Sequence, residues 1–206
     1  MEHDFRRAAL TAVAAVSVLW LVVFLGQFLD LPLYRLGILP RHTAGLPGIV
    51  FAPLVHGSWG HLISNSFALL VLGTALLYGY PRSARPVLLL VYLGSGVCVW
   101  LFARGNYHLG ASGLTHGMMF FIFTSGILRR DRLSIALALI VFFVYGGMIW
   151  SIFPQQQGIS YESHFFGAAT GVLAAFLFRH RDPVPAEKTY EWEGEADEEP
   201  FDRDLH

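Results

Sequence analysis

The sequence predicts an all-α membrane protein, a bundle of six transmembrane helices with both termini on the cytoplasmic side. The first observation is compositional. Hydrophobic residues make up 54% of the 206-residue chain and charged residues only 14%, and the mean hydropathy is +0.51. Soluble domains carry about 25% charged residues, so lipid must replace water over much of the exterior. The second is six apolar runs at 8–29, 60–80, 85–102, 112–128, 134–152 and 161–178, each close to the roughly 17–25 helical residues that cross a hydrocarbon core. The third is charge sidedness. With the N-terminus inside, 11 of the 14 basic residues fall on the cytoplasmic side, and only Arg35, Arg41 and Arg104 fall outside; this bias sets orientation.

Taken in order, the run 8–29 follows Arg6 and Arg7. It is longer than the roughly 7–15 residues of a signal-peptide apolar region, and no A-x-A-like site follows, so it is expected to remain as a span. Residues 30–59 hold Pro32, Pro40, Pro47 and Pro53 among Leu, Val and Phe; they predict a long outer loop lying partly in the interface. The next five runs must be helical, because in lipid the backbone has to satisfy its own hydrogen bonds. Trp59, Trp100 and Trp150 fall at outer helix ends, where indole rings favour the headgroup layer. Residues 182–206 carry ten acidic and two basic side chains and predict a solvated, disordered cytoplasmic tail. The chain has one cysteine, Cys98, which excludes an intrachain disulfide. The net charge of −1 offers no basic field for nucleic acid.

Polar residues inside spans are functional candidates, because they are costly there. They are His61 and Asn65 in the second span, Ser112 and His116 in the fourth, and Glu162 and His164 in the sixth. All lie in the outer halves of their helices. His61 and Asn65, at i and i+4, share one helix face. Ser112 stands in Gly110-Ala111-Ser112-Gly113, where a tight turn leads into a helix N-terminus whose free N–H groups stabilise negative charge. Acyl transfer needs such a nucleophile, a base and oxyanion donors. Gly167 and Gly171 in the sixth span, with Gly113 and Gly117 in the fourth, give two smooth faces suited to close packing, which would bring His164 against Ser112. Seventeen residues from Ser112 to Leu128 rise about 25 Å. With Arg129 at the cytoplasmic surface, Ser112 would stop roughly 5 Å short of the outer boundary of the hydrocarbon core.

The pattern His61-x-x-x-Asn65, Gly110-Ala111-Ser112-Gly113 and His164-x-x-Gly167-x-x-x-Gly171, in that helix order, resembles the rhomboid proteases over about residues 48–178. The resemblance implies a Ser112–His164 dyad without a third acid, and an oxyanion hole from the Ser112 N–H, His61 and Asn65. Gly110, Gly113, Gly167, Gly171 and His116 would support it. It also implies cleavage of single-span membrane proteins near the outer end of their helix, with no cofactor and no metal. The partners expected are transmembrane substrates and the lipid bilayer, and the short loops suggest a bacterial inner membrane. Two departures stand out. The Trp-Arg pair that many rhomboids carry before the first motif histidine is replaced by Leu46-Pro47-Gly48, with Arg41 and Trp59 displaced, which puts loop anchoring in question. His116 stands where many members have a tyrosine that stacks on the base, and it would either pack or tune.

Among the remaining residues, His56 is expected to organise the outer loop, Glu162 to be interfacial and solvated, and His42 and His108 to be surface residues. The loop 153–160 would be a cap over the site or an ordinary connector. A zinc protease would need His-Glu-x-x-His and an aspartyl protease two submerged aspartates; the sequence has neither. Cys98 lacks a basic partner and is expected to pack as a small hydrophobe. The alternative of another class is a catalytically inactive relative that acts as a membrane chaperone or adaptor. A transporter ranks third, since inverted repeats are missing.

Overall fold

The computed structural model describes residues 4–154 and 160–183. Among these, seven α-helices are joined by short turns and 3-10 segments: α1 Phe5–Phe28, α2 Gly48–Phe51, α3 Trp59–Gly79, α4 Ala84–Phe102, α5 Ser112–Arg129, α6 Arg132–Tyr145 and α7 Tyr161–Phe178. Four segments are long and apolar enough to cross a membrane: α1, α3, α4 and the run Arg132–Ile152. Helices α5 and α7 have 18 residues each, but glycine, serine, threonine and histidine dilute their apolar character. Enclosure by their neighbours explains why they can carry these residues. Their own Met118, Met119, Ile122 and Ala174 are fully buried in one cluster with Leu72 and Leu76 of α3 and Val91 of α4, whereas Phe24, Phe67, Leu89 and Phe143 point outward, as lipid-facing side chains do.

The closest pairing joins α5 and α7. A Cβ on Gly167 would lie 2.1 Å from the Gly113 carbonyl oxygen, and one on Gly171 would lie 2.2 Å from that of Gly117. Backbone therefore meets backbone along this seam, as the two smooth glycine faces predict.

Helix ends are fixed by residues that the sequence marks only weakly. Asp131 caps α6 by accepting from the Ser134 N–H at 3.0 Å. Arg129, buried beside it, donates to Asp131 at 3.0 Å, to the Arg179 carbonyl at 3.1 Å and to the Asp182 carbonyl at 3.0 Å. One guanidinium thus ties the C-terminus of α5, the N-terminus of α6 and the end of α7 together, rather than sitting at the surface. Burial would raise the Asp131 pKa, but hydrogen bonds from Ser134 and the Arg129 charge outweigh it and hold the carboxyl below its usual value. The expected solvated tail from 182 begins one step too early, since Asp182 is buried and accepts from the Arg82 N–H at 2.7 Å. Residues 184–206 lie outside the described residues.

One further expectation needs correction. The fifth span is not one α-helix: α6 stops at Tyr145, and Gly146–Ile152 continues as a 3-10 helix. Gly146 and Gly147 sit at the change, where low helix propensity lets the backbone tighten. The loop 30–59 carries short helical turns, with 3-10 segments at Leu33–Leu36, Thr43–Gly45 and Ala52–Leu54 flanking α2. Arg41, though displaced from the usual position, anchors this loop by donating to the Ala103 carbonyl at 2.7 Å. Trp100 Nε1 donates to the His42 carbonyl at 3.0 Å, and an antiparallel bridge joins Ile38 to His108.

Candidate active site

Helices α3, α5 and α7 all begin at one end of the bundle, and their first turns surround a cavity of about 760 Å³ lined by His61, Asn65, Ser112, His116, Ser151 and His164, among others. Ser112 is the first residue of α5. The neighbouring helix starts are capped by serine hydroxyls, Ser58 accepting from the His61 N–H at 3.2 Å and Ser160 from the Ser163 N–H at 3.3 Å. No side chain caps α5, so its first N–H groups remain available as donors, together with the positive end of the helix dipole.

Gly110 has φ +107°, and a Cβ there would lie 2.4 Å from the His61 ring. Only glycine suits this turn, on both conformational and steric grounds. It lets the loop pass directly under the imidazole and sets His61 close to the start of α5. Asn65 is buried one turn further along α3. Its Nδ2 lies 3.0 Å from His56 Nε2, so one amide hydrogen is used and the second remains free. Burial, and then the neighbouring His61, push the His56 pKa down to about 4. The His56 ring is therefore neutral near pH 7, and its Nε2 accepts the Asn65 bond. His56 thus holds Asn65 in the site.

His164 lies in the first turn of α7, buried, with its ring parallel to His116 at a centroid separation of 4.0 Å and an interplanar angle of 8°. Its Nδ1 faces the Ser151 carbonyl at 2.9 Å. A carbonyl can only accept, so Nδ1 carries the hydrogen, and in the neutral ring Nε2 is left with its lone pair.

Residues 44–181 match the Rhomboid domain. This chain belongs to the rhomboid family. It is 38% identical over 177 residues to the uncharacterized protein Rv1337 of Mycobacterium tuberculosis, spanning 81% of this chain and 73% of that protein. It is 33% identical over 177 residues to the uncharacterized protein ML1171 of Mycobacterium leprae, spanning 81% of this chain and 70% of that protein.

All the polar residues singled out in this rhomboid's sequence line or adjoin the one cavity, except Glu162. That carboxylate is buried rather than solvated, 3.1 Å from Arg104 Nε, whose guanidinium also sits over the Tyr161 ring at 5.0 Å. His108 is buried too, not at the surface. Its Nδ1 lies 2.6 Å from Ser160 Oγ and its Nε2 2.9 Å from the Arg104 carbonyl. These contacts pin the loop after α4 to the start of α7. A Ser-x-x-Ser pattern at Ser160 and Ser163 was the available cap signal. Ser151 carried no signal. The expected cap over the site falls largely on residues 155–159, outside the described residues.

Proposed function

We propose that this rhomboid is an intramembrane serine endopeptidase that cuts single-span membrane proteins near the outer end of their transmembrane helix. In this reading all six long helices span the membrane, both termini are cytoplasmic, and the membrane is a bacterial inner membrane. The observation that carries it is the meeting of Ser112, His164, His61 and Asn65 around one cavity at the N-terminal ends of α3, α5 and α7.

Ser112 Oγ attacks the scissile carbonyl carbon, and its proton passes to His164 Nε2, the nitrogen left free by the Ser151 contact. Negative charge on the substrate oxygen is stabilised by the Ser112 N–H, the His61 ring and the second amide hydrogen of Asn65. As the peptide bond breaks, His164 returns the proton to the leaving amine. Water then attacks the acyl-serine with His164 again as base, releasing the new carboxylate. The polar cavity supplies that water within an otherwise apolar bundle.

The test is purified protein in liposomes with a substrate carrying one transmembrane helix and a defined outer end. Two products, cut at that end, are expected. Asn65→Ala lowers kcat by at least about tenfold with KM little changed; losing one oxyanion donor costs about 10²–10³ in a dry site, and nearby water recovers part of this. Turnover within twofold of wild type would remove Asn65 from the mechanism, and a rise in KM alone would move it to substrate binding.

A further inference from the structure

We propose that Ser151, near the end of the 3-10 segment Gly146–Ile152, is a positioning residue that sets the orientation and tautomer of two of the cavity histidines, His116 and His164. The inference rests on the dyad chemistry above and assigns a role that the dyad leaves empty. A dyad has no third acid to hold the base, yet His164 must present Nε2 to Ser112.

Hydrogen-bond accounting around Ser151 supplies the missing holder. Its carbonyl oxygen takes the His164 Nδ1 hydrogen at 2.9 Å. Its hydroxyl lies 2.8 Å from His116 Nε2 and 2.7 Å from the Met148 carbonyl. His116 Nδ1 lies 2.6 Å from the Ser112 carbonyl oxygen, an acceptor only, so this nitrogen also bears hydrogen. In neutral His116 the other nitrogen, Nε2, is then an acceptor, and the single Ser151 hydroxyl proton is shared between it and the Met148 carbonyl. One residue therefore grips His164 through its backbone and His116 through its side chain, while the two rings stack 4.0 Å apart. His116 in turn reaches the backbone of Ser112. The result is a chain of contacts from Ser112 through His116 and Ser151 to His164.

Two consequences follow for the reaction. When His164 gains the Ser112 proton, the Ser151 carbonyl dipole faces the Nδ1–H of the imidazolium and stabilises it without a carboxylate bonded to the ring. The grip also requires a nitrogen on the stacked ring at the His116 position, which ties the departure at His116 to the identity of residue 151. A phenylalanine at 116 keeps the stack but leaves the Ser151 hydroxyl without this partner.

Ser151→Ala removes the hydroxyl and keeps the carbonyl. The expected effect is a fall in kcat of about tenfold with KM unchanged; a wrong tautomer in a serine protease costs up to about 10⁴, and here the carbonyl still favours the right one. Ser151→Thr, which retains the hydroxyl, restores most of the rate. His116→Phe produces a similar loss, and Ser151→Ala adds little to it, because both break the same link. A readout independent of turnover is ¹⁵N NMR of histidine-labelled protein in micelles. Both rings should show hydrogen on Nδ1, and Ser151→Ala should shift the His116 Nε2 resonance. Multiplying losses in the double variant, full activity in Ser151→Ala, or an unmoved His116 resonance would each overturn the proposal. If wild type itself lacked Ser112-dependent turnover, the dyad reading would fail, whereas the NMR arm would still decide the Ser151 linkage.

Discussion

Ser112→Ala and His164→Ala each reduce cleavage of a single-span substrate to background, a loss of about 10⁴-fold or more in kcat. In serine proteases the nucleophile and base act as one unit, so removing either costs nearly as much as removing both. The double variant should therefore be no worse than the singles. Stability separates chemistry from folding. The Ser112 backbone carbonyl accepts from Thr115 Oγ1 and faces His116 Nδ1, so Ser112→Ala keeps these contacts and should melt like wild type. His164→Ala also removes the stacked ring and is expected to melt somewhat lower. Proteolysis above a few per cent in purified Ser112→Ala would end the assignment.

Gly167→Val gives the second large effect, in both stability and activity. A Cβ at Gly167 would fall 2.1 Å from the Gly113 carbonyl oxygen and 3.0 Å from its Cα. These are backbone atoms, so relief requires moving a whole helix. Overpacking of this kind costs about 1–3 kcal/mol or more, or several degrees in melting temperature for a chain of this size. Because Gly113 adjoins Ser112, separating α5 from α7 also misplaces nucleophile and base, where displacement of about 1 Å can cost about 10²-fold. Gly167→Ala should already show part of both effects. Gly105→Ala is the matched control, since a Cβ there would meet nothing within 4 Å. Equal melting temperatures and equal turnover for these two alanine variants would refute the packing argument.

What the sequence made legible follows from period, depth and residue type. Ser112, His164, His61 and Asn65 could be read because ionisable and hydrogen-bonding side chains are rare in apolar runs and fell at one depth. The α5–α7 seam could be read because glycines four apart on two helices have few other uses in lipid. The residues that escaped share a different property: their partners are backbone groups or side chains remote in sequence. Arg41 bonds the Ala103 carbonyl, Arg129 the carbonyls of Arg179 and Asp182, His108 that of Arg104, and Ser151 meets two histidines through two different atoms. A polar residue in a loop looks solvated until the fold delivers such a partner. The same holds for Glu162, which pairs with Arg104 at 3.1 Å across 58 positions of chain. The break at Tyr145 was visible as Gly146-Gly147, but glycine inside an apolar run marks a helix end only weakly.

The central claim is that Ser112 is an activated nucleophile, and a fluorophosphonate probe tests it directly. Such a probe phosphonylates a serine Oγ with loss of fluoride, and at useful rates only where a base takes the hydroxyl proton and donors hold the developing charge. Purified protein in liposomes should be labelled stoichiometrically, with the modified peptide containing Ser112. Labelling should disappear in Ser112→Ala and His164→Ala and be slower in Asn65→Ala. The account is contradicted if wild type stays unlabelled while folded, the outcome expected of an inactive rhomboid that binds membrane clients, or if Ser112→Ala is labelled as fast as wild type at another serine.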